Sequence, residues 1–330
     1  MAAVSKLPFQ HLVPDRILDA IDGAGWRCDG RLTALNSFEN RVYQVGIEDD
    51  APIVVKFYRP NRWRNEAIAE EHAFSLELVA DEIPVVAPLA CADGRTLIED
   101  GEFRFAVFPK KPGRAPELDD ESTLEWLGRF IARIHGVGSR SEFLHRPRVD
   151  VRSFGEQPLS ALLRGSLLPA SLRSQYEAAA RHALERVRQA FAQAGDVASI
   201  RLHADCHAGN ILWTPEGPHF VDLDDCRMGP AIQDLWMLLS GDRAAMTRQL
   251  GVVLDGYTMF REIDPREFLL IEPLRTLRII HYAAWLAERW HDPAFPAAFP
   301  WFGSERYWQD QVLALKEQMA TMDEPPLSPL

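Results

Sequence analysis

The sequence predicts an α+β chain with two lobes, a smaller one built on an antiparallel sheet and a larger one that is mostly helical. In the first third of the chain, short β-rich runs separated by polar turns surround a single helical segment. The rest of the chain has a mostly helical pattern. Between these regions, residues 109–114 (PKKPGR) have the composition of a linker. We therefore predict an N-terminal lobe over residues 1–109 and a C-terminal lobe over residues 110–330.

The smaller lobe is predicted to contain five strands and one helix. The strand segments are rich in β-branched and aromatic residues, and Asn, Ser, Gly or acidic turns separate them. The helical segment is rich in Ala, Glu and Leu. The strands are predicted at residues 32–35, 42–47, 53–58, 96–99 and 103–108, and the helix at residues 62–80.

The larger lobe is predicted to be built from helices. The first of them opens with Asp119-Asp120-Glu121-Ser122, whose side chains complement the positive end of a helix. The end of the chain, residues 323–330, has the composition of a disordered tail. The helices are predicted at residues 119–137, 172–193, 234–239, 246–260, 267–289 and 305–322.

One motif in the larger lobe indicates chemistry. It reads His-x-Asp-x4-Asn over residues 203–210, and an apolar strand, a Pro/Gly turn, a second apolar strand and Asp222 follow. The turn predicts a β-hairpin. If Trp213 pairs with His219, the register places Asn210 opposite Asp222, at the open end of the hairpin.

This arrangement predicts a phosphoryl-transfer site. The amide oxygen of Asn210 and the carboxylate of Asp222 would suit Mg²⁺, which prefers oxygen ligands. Asp205 lies in a loop that can turn back over the same edge, where it would act as the base for an accepting hydroxyl. Transfer from a nucleoside triphosphate requires such a base and such metal ligands. The pattern therefore predicts a kinase that uses ATP and Mg²⁺.

The same residues resemble the catalytic and metal-binding loops of the protein-kinase-like superfamily. Asp222-Leu223-Asp224, which lacks the Phe-Gly of ordinary protein kinases, is similar to the aminoglycoside phosphotransferase and choline kinase branch. The longer run 203–239, with residues 36–45 (NSFENRVYQV) upstream, is similar to the bacterial stress response kinase A group, of the YihE/RdoA type. This resemblance covers most of the chain. It implies a two-lobed protein-kinase-like fold and a Ser/Thr protein kinase with a stress-response role.

A lysine in the smaller lobe is the candidate nucleotide-binding cation. Lys56 lies inside the apolar strand 53–57 (IVVKF), where a lysine taken alone can be a solvent-facing residue. Considered together with the hairpin, it matches the family lysine that contacts the α- and β-phosphates, and a Glu of the next helix should hold it. The resemblance favours Glu71 for this role, and Glu70 is the alternative.

No Gly-x-Gly-x-x-Gly loop is present to cover the nucleotide, which departs from ordinary protein kinases. Residues 36–41 can offer backbone N–H groups and the Ser37 hydroxyl to phosphates, as the loop of the resembling family does. The alternative is a plain polar hairpin turn. Phe108-Pro109 is expected to be the hinge beside the adenine.

Several neighbours of the motif have structural interpretations. We expect Asp234 to hold the backbone of the Asp205 loop, and His203 to brace it. Asp224 can assist metal or substrate binding. Cys206 and Cys226 are expected to be buried and inert.

Composition excludes several functional classes. A net charge of −12 and a pI near 5.3 argue against nucleic acid or an anionic membrane as the main partner. The sequence shows no secretory segment and no apolar run long enough to span a membrane. The cysteines lack CxxC spacing, which favours thiols in a reducing compartment. We therefore expect a monomeric cytoplasmic enzyme.

The acceptor is the least determined part of the prediction. By resemblance it is a Ser or Thr of a protein, or of the enzyme itself. The alternative is a small-molecule kinase that acts on an amino alcohol, a sugar or an aminoglycoside. The negative charge suits both cationic aminoglycosides and basic peptides, but residues 241–330 lack an acidic cluster built to hold a polycation. This favours a basic protein as acceptor. A catalytically dead nucleotide-binding scaffold is disfavoured because the set of site residues is intact.

Overall fold

A computed structural model describes residues 7–328, and its contacts divide the chain into two compact units. The first unit holds the described residues up to Pro116 together with a separate segment, Gly209–Asp224. The second unit holds Glu117–Ala208 and the described residues from Asp225 onward. Strands dominate the first unit and helices the second, which confirms the predicted α+β class.

The elements within residues 7–328 are as follows. The strands are β1 Cys28–Ala34, β2 Arg41–Ile47, β3 Asp50–Phe57, β4 Ile98–Asp100, β5 Phe103–Pro109, β6 Ile200–Leu202, β7 Ile211–Thr214, β8 Gly217–Phe220 and β9 Arg227–Gly229. The α-helices are α1 Pro14–Gly23, α2 Asn65–Ala80, α3 Glu121–Gly138, α4 Gln157–Arg164, α5 Ala170–Ala194, α6 Ile232–Trp236, α7 Arg243–Tyr257, α8 Ile271–Arg289, α9 Ala294–Ala298 and α10 Glu305–Met322.

The first unit is built on an antiparallel sheet with the strand order β1-β2-β3-β5-β4. One face forms an apolar core, in which the rings of Phe57 and Phe105 stack with centroids 5.0 Å apart. Successive side chains of a strand point to opposite faces, so Lys56 lies on the other face. On that face Ile68 of α2 packs with Ala106 of β5. The sheet therefore presents Lys56 toward helix α2.

Helix α1 is absent from the sequence predictions, although its residues have the start and the apolar spacing that are typical of a helix. It begins with Pro14 and Asp15, which suit the first turn of a helix. Ile17, Ala20 and Ile21 recur at helical spacing and are buried in the core of the sheet. Helix α4 and strands β6 and β9 are also absent from the predictions.

The hairpin formed by β7 and β8 belongs to the first unit, whereas the predicted division at residue 109 assigns it to the larger lobe. Backbone hydrogen bonds explain the difference. The Phe220 N–H donates to the Pro84 carbonyl at 2.8 Å, and Arg114 and Trp213 exchange a pair of backbone hydrogen bonds. Each strand of the hairpin is thus tied to a segment of the first unit.

Helices α3 and α7 pack closely in the second unit because glycines line their contact. A Cβ atom on Gly128 would lie 2.1 Å from the Val253 carbonyl oxygen, and one on Gly256 would lie 2.0 Å from that of Glu125. Helix α3 begins as predicted, with the Asp120 carboxylate accepting from the Thr123 N–H at 3.0 Å. Among residues 7–328 there is no helix both long and apolar enough to cross a membrane.

The predicted disordered tail is wrong for residues 323–328. Leu327 is buried, which anchors this segment on the second unit. Arg243 donates to the carbonyl of Pro326 at 3.2 Å, and Arg186 pairs with Asp323. The burial of this leucine and the contacts of the two arginines hold the segment in place, although its composition is otherwise typical of a disordered tail. Residues 329–330 lie outside the described part of the chain.

Candidate active site

Lys56 and Glu71 form a buried ion pair in the first unit. The Lys56 Nζ donates to Glu71 Oε1 at 2.8 Å, and the two side chains are 7% and 2% exposed. The pair joins β3 to α2. Glu70 is partly exposed on the same helix, so the geometry selects Glu71 from the two candidates.

The charge of Lys56 depends on the carboxylates around it. Burial alone would lower the pKa of Lys56, but Glu71 and the other acidic groups around the ammonium together outweigh this effect, and the pKa is raised well above the usual value. Asp222 Oδ1 and Asp224 Oδ1 also lie 3.5 and 3.8 Å from the ammonium nitrogen. Lys56 is therefore held as a fixed buried cation.

We expect Glu71→Ala to lower the free energy of unfolding by about 3 kcal/mol, because it leaves a buried ammonium without its main partner. Urea denaturation would measure this loss. Glu70→Ala is the matched control on the same helix, with an expected change within about 1 kcal/mol. Equal losses in the two variants would contradict the pairing of Lys56 with Glu71.

The predicted register of the hairpin is wrong by one residue. Trp213 pairs with Pro218 instead of with His219. The cause is a short turn, in which Thr214 and Gly217 pair with each other and belong to the strands. The Thr214 hydroxyl donates to the Gly217 carbonyl at 3.1 Å and closes this turn.

Asn210 consequently lies opposite Val221, whose N–H donates to the Asn210 carbonyl at 3.0 Å. Asp222 follows with a φ of 59°, in the left-handed region that few residues other than glycine adopt. Its half-exposed carboxylate approaches Lys56. Asn210 and Asp222 therefore remain at the same end of the hairpin, although they are not directly opposite each other.

Asp224 is the centre of a buried network of polar side chains. The sequence predicted only that Asp224 can assist metal or substrate binding. Its side chain is 4% exposed. Arg62 forms an ion pair with its Oδ2, and the Asn40 amide donates to the same oxygen at 3.0 Å. Arg62 and Asn40 are site residues that the predictions missed. The run of arginines between β3 and α2 was the available signal for Arg62.

The loop between β1 and β2 is held by side-chain hydrogen bonds to its backbone carbonyls. The Ser37 hydroxyl, predicted to face phosphates, donates to the Asn40 carbonyl at 3.1 Å. Arg59 donates to the carbonyls of Glu39 and Phe38 at 2.8 and 3.2 Å. The structure therefore gives this loop a defined conformation, and phosphate binding by Ser37 stays a prediction.

Asp205 lies in the second unit, in a loop that Asp234 holds as predicted. The backbone N–H groups of His203 and Ala204 donate to the two oxygens of Asp234 at 3.0 and 2.7 Å. His135 contacts the same carboxylate at 3.1 Å. Ala204 has a φ of 65°, so these bonds stabilise a strained backbone immediately before Asp205.

The Asp205 carboxylate has a cationic partner from a distant helix. Arg278 of α8 donates from Nη1 to Asp205 Oδ1 at 2.8 Å, and His207 Nε2 lies 3.5 Å from Oδ2. Burial would raise the pKa of Asp205, but the hydrogen bond from His207 and the charge of Arg278 hold it well below the usual value. Asp205 is therefore an anion at neutral pH. Arg278 is absent from the sequence predictions.

The oxygen donors of the first unit fit Mg²⁺ bound together with a nucleotide. Asp222 offers a half-exposed carboxylate, and Asn210 offers an amide at the same end of the hairpin. Within residues 7–328, no group of three or more His, Cys, Asp or Glu side chains is arranged to hold a metal alone. Mg²⁺ usually takes one or two carboxylates and completes its shell with phosphate oxygens and waters. The donor set suits that mode and does not suit a structural metal centre.

The cysteines near the motif are buried, as predicted. Cys206 and Cys226 are 1% and 0% exposed. Burial raises the pKa of the Cys206 thiol well above its usual value, so the reactive thiolate form is disfavoured.

Similarity to known proteins extends over most of the chain. The model of the "Phosphotransferase enzyme family" matches residues 31–269. The chain is 47% identical over 323 residues to "Stress response kinase A" of Escherichia coli O157:H7, covering 98% of this chain and 97% of that protein. It is 46% identical over 319 residues to "Serine/threonine protein kinase RdoA" of Salmonella typhimurium strain LT2, covering 97% and 96%. The predicted resemblance is confirmed.

Solved structures show the same fold at low sequence identity. The amicoumacin kinase hAmiN, solved in complex with AMP-PNP, Ca²⁺ and Ami, superposes with a TM-score of 0.73 at 20% identity and 96% coverage of both chains. The microcompartment-associated aminopropanol kinase superposes with a TM-score of 0.70 at 17% identity, covering 93% of this chain and 98% of that one. These similarities confirm the predicted two-lobed protein-kinase-like fold.

Proposed function

This chain belongs to the phosphotransferase enzyme family, and we propose that it transfers the γ-phosphoryl group of ATP to a Ser or Thr hydroxyl of a protein. The observation that carries the proposal is the buried Lys56–Glu71 pair with Asp222 beside it. A strand lysine held by a helix glutamate, near a metal-binding aspartate, is the nucleotide-binding set of kinases.

The first unit would bind the nucleotide. Lys56 presents a fixed ammonium to the α- and β-phosphates, since Glu71 prevents it from turning away. Asp222 and Asn210 would hold Mg²⁺, which neutralises charge on the triphosphate oxygens when bound. Ser37 and the backbone of its loop are the proposed further phosphate contacts.

The second unit would supply the base. The oxygen of the acceptor hydroxyl attacks the γ-phosphorus, and the bond from this phosphorus to the bridging oxygen of ADP breaks. The hydroxyl proton passes to the Asp205 carboxylate, which is ionised at neutral pH. Asp234 would keep this carboxylate in place through the backbone of its loop.

The choice of a protein acceptor is supported by the relatives. One of them, nearly full-length and 46% identical, is named a serine/threonine protein kinase, and others are named stress response kinases. The amicoumacin kinase and the aminopropanol kinase are 20% and 17% identical, a level at which fold is shared and acceptor is not established. We therefore propose a protein kinase with a stress-response role. A cytoplasmic location is also proposed, because none of the cysteines forms a disulfide in the described chain.

The acceptor panel is the direct test. With radiolabelled ATP and Mg²⁺, we expect label on Ser or Thr of protein substrates or of the enzyme itself, identified by phosphoamino-acid analysis. Choline, homoserine and aminoglycosides should be poor acceptors, with kcat/KM well below about 10⁴ M⁻¹s⁻¹. A preparation of Asp205→Asn, processed identically, controls for contaminating kinases.

The protein-kinase proposal would be overturned by the opposite pattern. A small alcohol phosphorylated at about 10⁴ M⁻¹s⁻¹ or faster, with proteins left unlabelled, would instead establish a small-molecule kinase.

A further inference from the structure

The carboxylate proposed as the base is paired with an arginine that faces solvent. The Arg278 side chain is 37% exposed, and its Nη1 donates to Asp205 Oδ1. A guanidinium carries five N–H groups in a planar fork, and the bond to Asp205 occupies one of them. The remaining donors are suited to a second anion next to the base.

Two more arginines contribute to the positive potential at His281, a neighbour of Arg278 on α8. His281, one turn after Arg278 on α8, stacks on Phe154 with ring centroids 4.2 Å apart. The pKa of His281 is lowered to about 3, first by burial and then by nearby cationic charge that Asp225 only partly offsets. The arginines responsible are Arg227, Arg278 and Arg289.

The nearby acidic groups are already engaged with these arginines. Arg227 donates to Asp225 Oδ1 at 2.7 Å and lies over the Phe154 ring at 4.8 Å. Asp205 is engaged with Arg278. Arg278 is the most exposed of these charged side chains, at 37% against 32% for Asp225 and 25% for Asp205, so an approaching anion would meet the fork of Arg278.

The positive charge of Arg278 beside Asp205 opposes the preference for basic acceptors that the net charge of the whole chain suggests. A net charge of −12 favours basic acceptors at long range. At physiological ionic strength such attraction is screened within about 8 Å. Contact selectivity then depends on the groups beside Asp205, and the cationic group hydrogen-bonded to its carboxylate is Arg278. The expectation of a basic acceptor, derived from the overall charge, does not follow from this geometry.

We propose that Arg278 selects acceptors with a carboxylate close to the reacting hydroxyl, so that the preferred substrate is a Ser or Thr flanked by Asp or Glu. The proposal rests on the proposed protein-kinase function and specifies its acceptor. The fork of Arg278 would bridge the base and the flanking carboxylate, and so bring the hydroxyl to Asp205. Acceptors flanked by Lys or Arg would be repelled by the same group.

The test compares short peptides that contain a single Ser and differ only in whether Glu, Ala or Lys flanks it. With the full-length wild-type enzyme at physiological salt, we expect kcat/KM to be about tenfold higher for the Glu-flanked peptide than for the Lys-flanked one. The preference should shrink as KCl is added, because it is electrostatic. This comparison requires no variant.

Variants then assign the preference to one residue. Arg278→Gln should raise KM for the Glu-flanked peptide and lower KM for the Lys-flanked peptide, so that the ratio approaches one. Arg278→Lys should restore most of the preference. Arg181→Gln is the matched control, because it removes the same charge from an exposed arginine that pairs with Glu177 on its own helix. It should behave as the wild type does.

The outcomes distinguish failure of the acceptor preference from failure of the proposed protein-kinase function. If the wild type labels none of the peptides and no protein, the protein-kinase function fails, and the acceptor preference fails with it. If it labels all the peptides equally, or prefers Lys, the preference alone is overturned. If Arg278→Gln slows all the peptides by one factor, Arg278 only positions Asp205, and selection by Arg278 is refuted.

Discussion

Asp205→Asn is expected to reduce phosphoryl transfer by about 10²–10⁴-fold while the protein remains folded, because the amide cannot accept the hydroxyl proton. The rate would be measured as single-turnover transfer of radiolabel from ATP. Nucleotide affinity, measured by calorimetry, should be unchanged, since Lys56, Glu71 and Asp222 belong to the other compact unit. Asp196→Asn, at an exposed position of the second unit, is the matched control.

The pH dependence provides an independent check on the same residue. His207 and Arg278 hold the pKa of Asp205 below its usual value against the effect of burial. The carboxylate is therefore already ionised well below neutral pH, so the wild-type rate should not fall between about pH 6 and 8 through loss of the base. Activity of Asp205→Asn within tenfold of wild type would refute the assignment of the base.

Asp222→Ala is expected to weaken Mg²⁺-dependent ATP binding by more than about 100-fold, because it removes the carboxylate that we propose as a ligand of the metal. Asn210→Ala should weaken it less, since an amide oxygen is a neutral donor. Calorimetric titrations of ATP with Mg²⁺ and with EDTA would distinguish loss of the metal site from loss of the nucleotide site. Binding in EDTA should change little, because Lys56 and Glu71 remain.

The left-handed backbone of Asp222 requires its own control. At a φ of 59° alanine is strained, whereas asparagine tolerates this region. Asp222→Asn therefore removes the charge while it keeps the turn, and it should also weaken Mg·ATP binding. Unaltered Mg·ATP affinity in both variants would exclude Asp222 as a metal ligand.

Several features could be predicted because they depend on short-range pattern. The position of Lys56 among apolar strand residues follows from local pattern, whereas its pairing with a helix glutamate, and the preference for Glu71 over Glu70, came from the family resemblance. The acidic start of α3 and its capping by Asp120 follow from local composition in the same way. The order of Asp205, Asn210 and Asp222 along the chain was sufficient to indicate the class of chemistry.

The register of the hairpin shows where local pattern is insufficient. Residues 214–218 are rich in turn formers, so a longer loop and a tight turn were both compatible with the composition. The structure has the tight turn, which the hydrogen bond from the Thr214 hydroxyl to the Gly217 carbonyl closes. Every cross-strand partner therefore differs by one position from the predicted register. Asp222, which is itself in the left-handed region, approaches Lys56 without pairing with Asn210.

Chain pattern thus predicted the α+β class and the residue types proposed for catalysis, because strand, helix and turn signals and the spacing of the motif can be read along the chain. The partners of Asp224 and Asp205 depended on folding. Arg62 is 162 residues from Asp224 in the chain, and Arg278 is 73 residues from Asp205. At such separations many arginines of the chain could pair with a given carboxylate. Only the packing of helices and strands determines which guanidinium lies next to it. The charge around the base, and with it the proposed choice of acceptor, is a property of that packing.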